Sequence, residues 1–124
     1  MIRSSSSGGR GSSLRIPFEK IARDVLIKGY QLSLVLCDDS LARKINRTYR
    51  KKDYAANVLS FPLDAHEGEI FLNIEAAERE AKRFSVSLRS HLMLLFVHGC
   101  LHLKGLGHGV AMENSEERTL KKFA

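Results

Sequence analysis

The run Leu92-Met93-Leu94-Leu95-Phe96-Val97-His98-Gly99-Cys100-Leu101-His102-Leu103-Lys104-Gly105-Leu106-Gly107-His108 decides how this chain folds. Taken back to Leu88, its first part is apolar round much of a helical circumference. A helix of that kind is buried rather than laid on a surface, so Leu88–Leu103 is expected to be the central helix. His98 and His102 stand at positions i and i+4, on one face and about 6 Å apart along the axis. Two imidazoles so placed can reach one metal ion at about 2.0–2.1 Å. Gly105 is the residue type that closes a helix with a left-handed cap and turns the chain back. His108 then arrives from the exit loop as a third nitrogen ligand. Three neutral imidazoles leave a fourth position open, which is the arrangement of a catalytic zinc rather than a structural one. Cys100 falls on the opposite side of the helix from His98 and reads as a core thiol.

The spacing H-x-x-x-H-x-x-G-x-x-H matches the long metallopeptidase signature H-E-x-x-H-x-x-G-x-x-H except at one place. Position 99 is Gly where those peptidases carry the glutamate that acts as general base. The metal scaffold is present and the peptidase base is absent, which argues against ordinary peptidase chemistry. His91 lies on nearly the same face, but seven residues are about 10 Å of rise, too far to share an ion. It reads as a core or site-lining histidine. His66 sits in a polar turn and reads as solvated.

With 124 residues, 44% of them hydrophobic, the chain has the size and composition of one globular domain. No apolar run approaches the roughly 20 residues that span a bilayer, and no apolar leader is visible, so the expectation is a cytoplasmic protein without a membrane partner. Residues 1–13 read as a flexible Ser/Gly-rich tail and residues 14–124 as the domain. Cys37 and Cys100 do not make a disulfide framework. The net charge of +6 is modest, but six basic residues and no acidic one fall between Arg43 and Lys52. Beside a hydrolytic metal site, that run points to a polyanionic substrate.

Helix signals begin at Pro17, with Phe18, Ile21, Ala22 and Val25 in phase up to Gly29. Tyr30 to Cys37 reads as a strand apolar on both faces and therefore central in its sheet. Asp38 or Asp39 caps a second helix carrying Leu41, Ile45 and Tyr49. After the basic loop Lys51 to Ala55, Asn57 to Phe61 reads as a short edge strand closed by Pro62. A polar turn leads to a strand from Glu69 to Ile74, then a helix from Glu75 to Phe84. Asn114 followed by Glu117 is a capping pattern for a final short helix. The fold class expected is α+β: a single small mixed sheet covered by helices, with a buried central helix carrying the metal-binding histidines.

Two blocks together resemble a known family. His98-Gly-Cys-Leu-His102-Leu-Lys-Gly105-Leu-Gly-His108 is similar to the H-G-x-L-H-L-x-G-Y-D-H signature of the YbeY endoribonucleases, bacterial rRNA maturation factors. Asn46-Arg-Thr-Tyr49-Arg50-Lys-Lys-Asp53 and Asn57-Val58-Leu59-Ser60-Phe61-Pro62 resemble that family's N-x-x-[FY]-R-x-K-D and T-[DN]-V-L-S-F-P segments, and Gly68-Glu69-Ile70 its Gly-Asp-Ile strand start. The resemblance implies a zinc-dependent, single-strand-specific endoribonuclease of rRNA maturation and ribosome biogenesis. It implies one Zn2+, or another first-row divalent ion, on His98, His102 and His108. Catalysis would rest on His98 and Arg50, and Arg43, Arg47, Arg50, Lys51 and Lys52 would contact RNA. Partners would be single-stranded RNA, an rRNA precursor, and the ribosome or its proteins. The alternatives are a ribosome-assembly factor with weak or no catalysis, and a zinc hydrolase or peptidase-like enzyme on another substrate. The chain departs from the family at Leu106-Gly107, where Tyr-Asp is usual, and at Ala56, where Thr is usual. The family's first strand is hard to find in the Ser/Gly tail.

Overall fold

The elements run β1 (Ile2–Ser6), α1 (Phe18–Val25), β2 (Gln31–Cys37), α2 (Asp39–Arg50), β3 (Val58–Asp64), β4 (Glu67–Asn73), α3 (Ile74–Phe84), α4 (Leu88–Leu103) and α5 (Val110–Phe123). They are taken from a computed structural model that describes residues 2–6, 15–107 and 109–123. The strands form one mixed sheet in the order β1-β2-β4-β3. β1, β2 and β4 run parallel, and β3 pairs antiparallel with β4. Helices cover this small sheet, so the fold is α+β as its pattern of elements predicts.

Flanked by β1 and β4, β2 buries Leu32, Leu34, Leu36 and Cys37, which accounts for apolar residues on both of its faces. β3 holds the sheet edge, the place a proline requires. It does not close at Pro62, however, but continues to Asp64 with a register shift between those residues. An edge strand leaves one side unpaired, so the missing N–H of Pro62 does not end the pairing. β4 starts two residues earlier than its apolar run suggests, because Glu67 and Gly68 already pair with both neighbours. Ile74, expected to end that strand, instead opens α3 behind the Asn73 cap.

Two further expectations are corrected. Ile2–Ser6, placed with the tail by its composition, forms β1 beside β2. With one apolar residue in five, the strand carries no alternation of apolar and polar residues, and β2 offers backbone donors and acceptors that any residue can pair with. α5 is not short and does not begin at Asn114. It spans 14 residues from Val110, and its first turn is closed by the Glu113 N–H donating to the Gly109 carbonyl at 3.0 Å. Asn114 is exposed within it.

α4 is the axis of the fold and touches α1, α3, α5, β3 and β4. Leu92, Phe96, Val97 and Cys100 are fully buried, and the Phe96 ring meets Phe18 edge-on at 4.8 Å. The Ser87 hydroxyl accepts from the Ser90 N–H at 3.0 Å and starts the helix. Its end is a Schellman turn: the Leu106 N–H donates to the Leu101 carbonyl, the Gly105 N–H to that of His102, and Gly105 has φ +103°. Among the described residues, no single helix is long and apolar enough to cross a membrane.

Candidate active site

α4 brings His98 and His102 together on one face, one turn apart. Their Nε2 atoms lie 3.0 Å apart and their rings meet edge to face at 4.6 Å. Nitrogens that each sit 2.0–2.1 Å from one tetrahedral ion are about 3.3 Å from each other, so this pair is close to the bite of a single metal. The Nδ1 of His98 lies 3.4 Å from the Glu116 carboxylate on α5. A carboxylate on that side favours the Nδ1–H tautomer and leaves the Nε2 lone pair directed at the other histidine. The donor chemistry thus fits a first-row divalent ion. The third expected ligand, His108, lies outside the described residues, and among those described no group of three or more His, Cys, Asp or Glu side chains converges.

These histidines open into a cleft of about 1090 Å³. α4 provides its floor with Leu94, Leu95, His98 and His102, and α2 contributes Tyr49 and Arg50. The following loop adds Lys52 and Tyr54, β3 adds Ser60 and Phe61, and Glu80 and Glu116 come from α3 and α5. Arg50 and Lys52 therefore share the cleft with the histidines. Arg43 and Arg47 do not. They line an adjoining hollow with Lys44 and both contact Asp53 Oδ1 through Nε, at 2.9 and 3.1 Å. The Arg43 guanidinium bonded to Asp53 holds that carboxyl below its usual range. Lys51 is exposed and lines neither hollow. It takes the left-handed conformation, φ 59°, that ends α2.

His91 is buried, as a core histidine should be, and its Nε2 lies 2.7 Å from Glu80 Oε1. The Asn57 amide donates to both oxygens of Glu80 at 3.2 Å. His66 is exposed in its turn. Glu80 and Glu116 carry no local signal in the sequence, because their partners lie on other elements. Asn57 and Ser60 belong to the second sequence block. The structure gives that block a reason: Asn57 holds Glu80, and the Ser60 hydroxyl donates to the Gly99 carbonyl at 3.0 Å.

The molecule is thus an α+β domain whose buried helix presents a histidine pair to a cleft shared with an arginine and a lysine. A family model described as Endoribonuclease YbeY matches residues 14–124, and the chain belongs to the YbeY family. It is similar to the Endoribonuclease YbeY of Helicobacter pylori, at 46% identity over 94 residues, covering 73% of this chain and 66% of that protein. With that of Pseudomonas putida the identity is 38% over 100 residues, covering 74% of this chain and 64% of the relative. The chain thus spans slightly less than two thirds of the Pseudomonas protein's length. A Thermotoga maritima protein solved in solution has the same fold, with a TM-score of 0.74 at 24% identity, over 99% of this chain and 89% of that one.

Proposed function

We propose that this chain is a metal-dependent endoribonuclease that cuts single-stranded RNA in rRNA maturation. The observation that carries this reading is that Arg50 and the pair His98 and His102, from separate sequence blocks, line one cleft. The family's name supports RNA as the substrate, and the cleft's basic side chains suit a polyanion. In this reading His98, His102 and His108 hold a zinc ion or another first-row divalent ion. When bound, such an ion supplies Lewis acidity toward a phosphate oxygen or an attacking hydroxyl.

The chain's own groups do the rest. Arg50 is exposed and, among the described residues, makes no ion pair, so its planar fork is available to a phosphate. It grips the scissile group and stabilises charge that develops on its oxygens. Lys52 neutralises a neighbouring phosphate without reading sequence. Glu116 fixes the His98 ring, and Asn57 holds Glu80, a second carboxylate that lines the cleft. A precursor rRNA in the cytoplasm and the ribosome as docking partner belong to the same proposal.

The test is incubation of metal-loaded protein with single-stranded RNA beside His98→Ala and Arg50→Ala. Wild type cleaves, and His98→Ala loses both metal and cleavage. Arg50→Ala keeps its metal and slows by roughly one to three orders of magnitude, the scale of one lost charge-stabilising donor. An inert wild type refutes the nuclease reading in favour of an assembly factor. An Arg50→Ala variant at the wild-type rate removes Arg50 from the chemistry.

A further inference from the structure

The two hollows meet at one aromatic residue. Tyr54, with Ala55, lines both the histidine cleft and the adjoining basic hollow of about 1060 Å³. Its residue is 52% exposed, yet its backbone is tied down. The amide of Asn46, itself fully buried, donates to the Tyr54 carbonyl at 3.0 Å, and the Lys52 N–H donates to the Asn46 carbonyl at 3.3 Å. A ring carried on a fixed backbone gives up little conformational freedom when something lies against it. Beyond Tyr54, four basic side chains (Arg43, Lys44, Arg47, Arg79) face two acidic ones (Asp39, Asp53). Asp53 engages Arg43 and Arg47 at Nε, and those contacts leave the terminal nitrogens of each fork outside the bond.

We propose that Tyr54 joins the two hollows into one track for unpaired RNA. The ring stacks a nucleobase, and Arg43, Lys44 and Arg47 hold backbone phosphates of the strand that leaves the histidine cleft. This rests on the endoribonuclease reading and adds the path of the strand outside the cutting site. A ring on a ridge can stack only on a base that has left its partner, so the track selects unpaired nucleotides by geometry and tolerates any sequence. The phosphate contacts add affinity that falls with salt.

The test is binding, by fluorescence anisotropy, of a 2′-O-methyl oligouridylate of about twelve nucleotides, which spans both hollows and resists cleavage. An abasic chain of equal length is compared with it. Tyr54→Leu should bind the oligouridylate roughly tenfold more weakly, Tyr54→Phe should match wild type, and all three should bind the abasic chain alike. Arg43→Ala with Arg47→Ala should weaken both ligands and lower the salt slope by about one unit per lost phosphate contact. Equal binding of oligouridylate by wild type and Tyr54→Leu overturns the proposal, as does equal loss in the Leu and Phe variants or an unaffected double arginine variant. Cleavage of a longer RNA by wild type is read in parallel. Absent cleavage with these affinity differences intact refutes the nuclease reading and supports the track. Cleavage without the differences refutes the track alone.

Discussion

A β-carbon at Gly99 would lie 3.1 Å from Ser60 Oγ and 3.2 Å from both Ile70 Cδ1 and Val58 Cγ2. α4 comes this close to β3 and β4 because position 99 has no side chain, so a peptidase-type glutamate there would drive into the sheet. Gly99→Ala should lose about 1–3 kcal/mol to overpacking and regain about 1 kcal/mol of helix propensity, for a net loss of up to about 2 kcal/mol read from denaturant midpoints. A midpoint raised by about 1 kcal/mol, the full propensity gain, would mean that the three neighbours yield freely. Gly107 presents the reverse case. It is not among the residues with positive φ, and a β-carbon there meets no heavy atom within 4 Å. Gly107→Asp, which restores the family's residue next to His108, should therefore leave stability within about 0.5 kcal/mol of wild type. If that aspartate orients a ligand, metal dissociation slows by roughly 10–100-fold. Unchanged dissociation would show that the family aspartate has no part in holding the ion here. At this scale the spacing of His98 and His102 was legible because i and i+4 is a local relation. Glu116 was not, since Glu113 and Glu117 are equally plausible by composition. Only the way α5 lies on α4 selects it.

Between elements, one cluster joins α2, β4 and α3. Arg79 donates to Asp39 Oδ2 at 2.6 Å and to Oδ1 at 3.0 Å, and the buried Asn73 amide donates to Oδ1 at 2.8 Å. Asn73 also caps α3 by accepting from the Ala76 N–H at 3.2 Å. The Arg79 bond, helped by Asn73 and opposed by burial, holds the Asp39 carboxyl below its ordinary value of 3.8. A lowered carboxylate pKa adds stability that is present above the unfolded value and is lost as pH falls through the folded one. The midpoint difference between wild type and Arg79→Ala should thus narrow as pH drops from about 6 to about 3. It should be modest throughout, because both side chains are more than a third exposed, at 60% and 36%. A difference that stays constant would place the role of Arg79 in packing instead. Among the elements, α4 was legible to both ends, since its apolar circumference and the Gly105 turn are local features of the sequence. The limits of β3 and β4 were not, because their pairing partners set them.

At the scale of the molecule, the cleft is a property of packing rather than of any segment. Its walls come from α2, β3, α3, α4 and α5, and the Asn57–Glu80–His91 link, which ties α3 and α4 to the residue just before β3, spans 35 positions of sequence. The histidines and Arg50 are legible in local spacing and motif, whereas the link exists only once the elements have packed. The two thiols offer a test of whether metal binding and global stability are coupled through this architecture. Cys37 ends β2, and Cys100 lies on the buried side of α4 between the two histidines; both are buried. Burial, with Asp38 and Asp39 nearby, pushes the Cys37 thiol up to about 12, so its reactive thiolate is scarce at neutral pH for as long as it stays buried. Thiol reagents should therefore label both residues through global unfolding, at similar rates that rise together with denaturant. A ligand that binds only the folded state at a hundred times its Kd adds about 2.7 kcal/mol of stability, which reduces the open population about a hundredfold. Zinc in that excess should slow labelling of Cys37, more than 60 positions away in sequence from His98, by about that factor. His98→Ala should lose the protection. Labelling of Cys37 in wild type that ignores zinc would mean the native fold does not hold the ion, and faster labelling at Cys100 alone would mean α4 opens without the sheet.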